Sequence, residues 1–524
     1  MLVLFLYIIA LDLYEIKMCY VYWKSKMHER YSVFDLFFRK TPFKGEFAVF
    51  CGLNDVLNAV ERFKFSAEDI EYLKTLLPSD TDPLFWLYLS SLDCSKIKIS
   101  AIAEGSVVFA REPLIIVEGP LAICQLLETL ILNLINFASL VCTNAVRFRL
   151  AAGPKTKLFE FGIRRAQGPD GALTASKYIY IGGFDATSNV LASRLFGIPP
   201  VGTQAHSFVC SFDDRAIAVV LLTTADSKPV DIFAVASRFV EELVKLFPNL
   251  LLTEINKSEL LAFVTFASSY PSGFLALIDT YDVLKSGAVN FCACALALDT
   301  CGFRAVGVRI DSGDLAYLSR EIRAMFRNVC YKISINDINE DTINSLNEQG
   351  HEIDCFGVGT HLVTCQKQPA LGCVYKLVEL NGESRIKLSE DIEKITIPGR
   401  KIVYRLYGKD GYAINDLVQL AADDPPAEMM SVLCRHPFYE CKRAIVKAAT
   451  VQVLHKVYWE NGHRTMKAPT LNEIKTHLQS SFRHVRNDHK RSLNPTPYKV
   501  SLNSSLYDFF HSLWLEKAPI GQLE

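Results

Sequence analysis

Five polar segments each follow a short apolar run, and together they carry residue types suited to charged, hydroxylated ligands. Arg164 and Arg165 follow Leu158–Phe161, and a guanidinium pair there suits bidentate recognition of phosphate or carboxylate. Gly202-Thr203-Gln204-Ala205-His206-Ser207 sets a histidine among hydroxyl and backbone donors. Alone, His206 reads as a core or capping residue, and it gains a chemical role only where other segments converge on it. Asp279-Thr280-Tyr281-Asp282 follows Phe274–Ile278, with Lys285 close behind. Arg309-Ile310-Asp311-Ser312-Gly313-Asp314 places two carboxylates beside an arginine, suited to sugar hydroxyls or Mg²⁺. Asp314 fits equally as the N-cap of the helix that follows. Phe356-Gly357-Val358-Gly359-Thr360 supplies glycines whose backbone N–H groups can approach an anion, and a hydroxyl. The sum is phosphosugar or nucleotide chemistry: arginine and glycine tips for phosphates, aspartate tips for hydroxyls and metal.

Such tips need elements that present them at one edge. From residue 158 onward, strand-like runs at 274–278, 305–310, 331–335 and 353–358 alternate with helical patterns at 185–196, 231–246, 257–269, 283–301, 314–328 and 340–349. A second apolar run, Tyr178–Ile181, precedes the first of these helices. Strand–helix alternation with polar strand ends predicts an α/β fold with a TIM-like (β/α) barrel rather than an open sheet. Before it, a helix from Asp12, a strand at Tyr31–Phe38, helices over 53–95 with Ser66 heading a capping box, short strands over 99–119 and a long apolar core helix over 121–150 are expected. After about residue 370, strands and a Lys409–Gly411 hairpin turn return. The expected division is an N-terminal α+β domain at 1–150, the barrel at 151–369, and a region at 370–524 that packs back on the N-terminal domain.

A chain of 524 residues with a formal net charge of -1 offers no bulk electrostatic case for nucleic acid or an acidic membrane. The basic tail over 475–491 reads as a solvated face, since no aromatic stacking set accompanies it. Fifteen cysteines occur with no zinc-ligand spacing, and Cys292, Cys294 and Cys330 sit in apolar segments as buried free thiols, which fits a reducing cytoplasm. The apolar start, Met1–Ala10, lacks a basic flank or cleavage site and is shorter than the roughly 20 residues a spanning helix needs, so it reads as a buried first element and no membrane association is expected.

The motifs FEFGIRRAQGPDGALTASKYIYIGGFDATSNVLA, VGTQAHSFV, IDTYDVLKSGAVN, AVGVRIDSGDLAYLS and GVGTHLVTCQKQPALGCVYKLVEL resemble those of the nicotinate phosphoribosyltransferase family. The resemblance extends to DLYEIKMCYVYW and DLFFRKTPFKGEFAVFCGL near the start and DHKRSLNPTPYKVSLN near the end, covering nearly the whole chain. It implies an irregular α/β barrel with a split domain from both chain ends, and a homodimer. It further implies a cytoplasmic enzyme that joins nicotinate to 5-phosphoribosyl 1-diphosphate, coupled to ATP hydrolysis, with Mg²⁺ or Mn²⁺ as cofactor.

Carried over by motif, the resemblance makes His206 a phosphohistidine, with Asp311 and Asp314 beside it as catalytic residues. Tyr14, Thr203 and Arg309 match nicotinate contacts. Gly359, Thr360, Arg164, Arg39, Asp279 and Ser312 match phosphoribosyl diphosphate positions; the metal ligands are not assigned. The chain departs from the family pattern at Leu11 and Glu15, around Tyr14, and at His361 after Thr360. A related transferase using nicotinamide or quinolinate, or a non-catalytic ligand-binding relative, are the competing readings.

Overall fold

The computed structural model describes residues 10–213, 219–247, 249–327, 332–336 and 338–518. Met1–Ile9 and Cys330 lie outside the described residues, as do the first residue of the 331–335 strand and the side chains of the rest. The chain divides into two compact units, one made of Met1–Thr143 with Lys367–Glu524 and the other of Asn144–Gln366. Both are mixed α/β.

The unit of Asn144–Gln366 is built on a six-stranded sheet. Its strands are β1 (Lys157–Glu160), β2 (Ala186–Thr187), β3 (Leu275–Leu277), β4 (Gly307–Ile310), β5 (Lys332–Asn336) and β6 (Cys355–Val358), in the order β3-β4-β5-β6-β1-β2. Every pairing is parallel, so all six carboxyl ends open at one edge. Its apolar strand residues are buried: Leu158, Ala276, Val308, Ile310, Phe356 and Val358 are inaccessible. Helices Lys257–Ser269 and Ala288–Thr300 contribute mostly buried side chains, including Phe263, Phe291, Cys292 and Cys294.

Two local expectations change. Tyr178–Ile181 is the last part of helix Gly168–Ile181, because Ala172, Ala175, Tyr178 and Ile179 share its buried face at helical spacing. The helix expected from 185 starts only at Val190, since Ala186–Thr187 is the short strand β2 and Asn189 caps the helix by accepting from the N–H of Ala192. Among the described residues the sheet itself is a six-stranded half-barrel arc. The stretch between His206 and Phe274 provides helices and a two-stranded antiparallel ribbon, Leu221–Thr223 with Pro229–Asp231, in place of further strands for the arc.

The unit formed from the two chain ends contains a seven-stranded sheet in which Tyr31–Phe38 pairs antiparallel with Cys373–Leu380 and Ile115–Pro120, so that distant segments share one sheet. A second sheet centres on the hairpin Lys401–Tyr407 and Ala413–Leu420, turned at Gly411 in the left-handed region (φ 77°). Two ion pairs are buried in this unit, Lys401 with Asp35 at 2.9 Å and Arg405 with Asp416 at 2.6 Å. Ser66 forms its capping box with Asp69. The long apolar helix Glu128–Ala152 passes the boundary between the units at Thr143, and Ile131, Ile135, Leu140 and Val141 on it are inaccessible, as in a core helix.

Candidate active site

Because the strands are parallel, the loops after β1, β3, β4 and β6 gather at one edge. Those after β1, β4 and β6, with His206, line a cavity of about 160 Å³ through Phe161, Arg164, Arg165, Asp311, Ser312, Gly357, Gly359 and Thr360. Four of the sequence motifs therefore reach one cavity, and the fifth supplies Asp279 beside His206 and Asp311.

Asp279, just past β3, organises this edge. Its side chain is 1% exposed, and Oδ2 accepts from the backbone N–H of Asp311 at 2.9 Å and the hydroxyl of Ser312 at 2.7 Å. Its Oδ1 is buried with no hydrogen-bond partner among the described residues. His206, at the start of the short helix His206–Cys210, is half-exposed, and its Nδ1 lies 3.2 Å from Oγ1 of Thr280. Its Nε2 lies 3.7 Å from Oδ1 of Asp279 and 3.9 Å from Oδ2 of Asp311. These separations are too long for hydrogen bonds but set both carboxylates beside the imidazole.

Arg309, inside β4, is held through both terminal nitrogens. Nη1 donates to Oγ1 of Thr203 at 3.0 Å and Nη2 to Oδ2 of Asp311 at 3.2 Å, while its guanidinium carbon lies 5.5 Å from the Phe161 ring centre. Nε is buried and without a partner among the described residues. Gln204, one residue past Thr203, is buried with both side-chain polar atoms unpaired among the described residues. Buried polar groups ordinarily find partners, so these unpaired atoms set this edge apart from an ordinary core.

The loop after β1 is held from beneath. Glu160, 1% exposed, accepts from the backbone N–H of Gly162 and the hydroxyls of Ser176 and Thr187. Gly162 is required there, since a Cβ would sit 2.2 Å from Cγ1 of Val363. Arg164 and Arg165 follow, both exposed, and Arg165 donates from Nη1 to Oγ1 of Thr360 at 3.2 Å. Asp314 is placed differently from Asp311: its Oδ1 accepts from the N–H of Tyr317, capping helix Leu315–Arg327, and it does not line the cavity.

Tyr14 and Arg39 belong to the other unit. Tyr14 lines a cavity of about 350 Å³ with Asp12, Thr129, Asn133 and Asn136. Burial and the charges of Glu128 and Glu15 push its hydroxyl up to about 12. Arg39 follows strand Tyr31–Phe38, and its N–H donates to the carbonyl of Gly372. The structure places Arg165 at the cavity and adds Glu160, Phe161, Gln204 and Thr280 to the residues read from the sequence. Phe161, Gln204 and Thr280 were visible as members of quoted segments, whereas Glu160 sits inside a strand and no local signal gives it a partner.

The model of the nicotinate phosphoribosyltransferase (NAPRTase) N-terminal domain matches residues 9–136, and that of the nicotinate phosphoribosyltransferase C-terminal domain matches 400–510. A nicotinate phosphoribosyltransferase of Caenorhabditis elegans is 56% identical, covering 98% of this chain and 94% of the relative. The chain belongs to the nicotinate phosphoribosyltransferase family. The Homo sapiens nicotinate phosphoribosyltransferase is 41% identical over 97% of each chain. The crystal structure of human nicotinic acid phosphoribosyltransferase superposes with a TM-score of 0.86 at 39% identity, over 96% of this chain and all of that one. Members of this family are enzymes, and the split unit assembled from both chain ends contains both matched segments.

Proposed function

We propose that this enzyme joins nicotinate to 5-phosphoribosyl 1-diphosphate, releasing diphosphate and forming nicotinate mononucleotide, with ATP hydrolysis coupled through phosphorylation of His206. The observation that carries the reading is the convergence of His206, Asp279, Asp311 and Arg309 at one strand-end edge. Arg309 and Thr203 are assigned to nicotinate. Thr203 and Asp311 hold Arg309 with Nε unpaired among the described residues, and a substrate carboxylate beside the guanidinium makes a charge-assisted hydrogen bond where a neutral amide makes a weaker one. That preference argues for nicotinate over nicotinamide. Tyr14 is assigned to nicotinate as well. Arg164, Gly359, Thr360, Ser312, Asp279 and Arg39 are assigned to phosphoribosyl diphosphate, whose anionic groups suit the exposed guanidinium of Arg164 and the glycine tip after β6.

In the transfer, the C1–O bond to diphosphate breaks as the pyridine nitrogen bonds to C1, and the bonding electrons leave with diphosphate. Fixed orientation and compensation of the departing charge carry most of such a step. In the ATP half, an imidazole nitrogen of His206 attacks the terminal phosphorus, the bond to ADP breaks, and later hydrolysis returns free imidazole and phosphate. Thr280 holds Nδ1 and so orients the ring. Asp311 balances both Arg309 and the histidine, and Asp314 fixes the loop by capping its helix.

Mg²⁺ or Mn²⁺ is the proposed cofactor. Among the described residues no group of three or more His, Cys, Asp or Glu side chains forms a protein cage for a metal. The open Oδ1 of Asp279 beside Asp311 fits instead a cation held by one or two carboxylates, waters and substrate phosphates. When bound it neutralises phosphate charge. A phosphorylated His206 carries about -1.5 to -2 charge by analogy with other phospho-residues and faces both carboxylates, so a cation there relieves repulsion.

The six-stranded arc is proposed as part of a TIM-like barrel, and the enzyme as a homodimer, in line with the family resemblance. A cytoplasmic location is supported by the free thiols of the described cysteines. The experiment is product formation from nicotinate and phosphoribosyl diphosphate with and without ATP. Turnover of nicotinate, raised by ATP with ADP released, supports the reading. Turnover of nicotinamide or quinolinate in its place rejects it.

A further inference from the structure

A cavity in the unit formed from the two chain ends is not used by the reaction above. It measures about 510 Å³, within the range of small-molecule sites. Four basic side chains line it, Arg111, Lys442, Arg443 and Lys499, against one acid, Glu46. Among the described residues none of these four is in an ion pair or donates a side-chain hydrogen bond; Arg111 rests 4.4 Å from the Phe438 ring centre and Lys442 4.4 Å from that of Tyr439.

Arg111 is held in place at some cost. Its backbone is left-handed at φ 71°, and burial pulls its guanidinium below the usual range. Glu393 and Asp391 act on it electrostatically but neither forms an ion pair with it among the described residues, and a partly buried cation without a bound carboxylate is an arrangement that an anion completes. His436 adds a donor to the same wall. Its Nδ1 accepts from the N–H groups of Phe438 and Tyr439, at 3.1 and 3.2 Å, which leaves the proton on Nε2. Burial, with Lys442 and Arg111 nearby, lowers its pKa to about 4, so it stays a neutral donor at pH 7.

The remaining wall is apolar and aromatic. Phe109 and Tyr498 stack at 3.5 Å between centres, and Pro437, Val500 and Leu502 continue the surface. Basic groups alone would suit any anion, but the apolar wall asks for a ligand with a body to bury. We propose that this cavity is a second ligand site for a phosphate ester carried on an apolar or aromatic body, the chemistry of a nucleoside phosphate.

The test is calorimetric titration of the full chain with AMP, adenosine and inorganic phosphate at fixed ionic strength. Arg111→Met is the direct variant. Because Arg111 also shapes the backbone, the double variant Lys442→Glu/Arg443→Glu, at two exposed positions, serves beside it. The wild type is expected to bind one AMP per chain that the double variant lacks or binds at least tenfold more weakly at unchanged melting temperature. Adenosine and phosphate each bind at least tenfold more weakly than AMP. No AMP binding at millimolar concentration, or AMP binding unaltered in the double variant, overturns the site. Phosphate binding as tightly as AMP overturns the ligand class. AMP binding lost in His206→Ala but kept in the double variant places the nucleotide at the strand-end site instead and overturns the proposal.

Discussion

Nε2 of His206 lies 3.7 Å from Oδ1 of Asp279, a carboxylate oxygen that no hydrogen-bond donor reaches among the described residues. The other oxygen ties the loop after β3 to the loop after β4 through Asp311 and Ser312. One carboxylate thus joins two strand ends and turns its open oxygen toward the histidine. Asp279→Asn keeps the size and one acceptor but removes the charge. Phosphorylation from labelled ATP is expected to fall at least tenfold while the fold persists. Unchanged labelling removes Asp279 from the ATP half of the cycle.

Arg309 is the proposed carboxylate clamp. A charge-assisted pair contributes on the order of 1.5–3 kcal/mol, so Arg309→Ala is expected to raise the KM for nicotinate about 10- to 100-fold. ATP hydrolysis in the absence of nicotinate changes far less. Steady-state kinetics in both substrates checks this, and an unaltered nicotinate KM rejects the clamp.

Glu160 acts from below the site as a positioning residue. It accepts from Gly162, Ser176 and Thr187, and Gly162 leads directly into Arg164 and Arg165. Glu160→Gln turns one acceptor into a donor facing donors. We expect a loss of about 1–3 kcal/mol in stability and a raised KM for phosphoribosyl diphosphate, with the nicotinate KM little affected. Denaturant titration and kinetics together test it; equal changes in both KM values point to general loosening instead.

Glu259 gives the enzyme a pH-dependent stability. Burial raises its pKa to about 7, although Ser286 and Asn290 donate to Oε2. The folded state therefore holds a proton that the unfolded chain releases near 4.5. Its contribution is fully present below about 4.5 and is lost as pH rises to about 7, amounting to about 3 kcal/mol at most. Glu259→Gln, permanently neutral, should flatten the fall in melting temperature between pH 5 and about 7.5. An equally steep fall in the variant excludes Glu259 as its source.

Much of this site was legible in the sequence because its side chains sit at strand ends, where a polar residue after an apolar run is a local signal. Asp279, Asp311, Ser312 and Thr360 all follow strands at or near the places their runs stop. The helices Lys257–Ser269 and Glu340–Gln349 likewise begin where Asn256 and Asn339 supply caps. What the residues could not show is pairing. Tyr178–Ile181 looks like a strand until Ala172 and Ala175 are seen to share its face, and the order in which the six strands pair depends on neighbours that spacing does not name. Arg164 and Arg165 are equivalent on paper, yet Arg165 is the one that reaches Thr360. Glu160 is a lone acid in a strand until three donors from separate elements meet it. Family resemblance, not spacing, raised His206 from a capping histidine to a chemical one.

Transfer of the terminal phosphoryl group of ATP to His206 is tested most directly by labelling. Wild-type enzyme incubated with ATP labelled at the terminal phosphate should acquire label that survives base and is lost in acid, and His206→Ala should acquire none. Equal acid-labile label on His206→Ala contradicts the account.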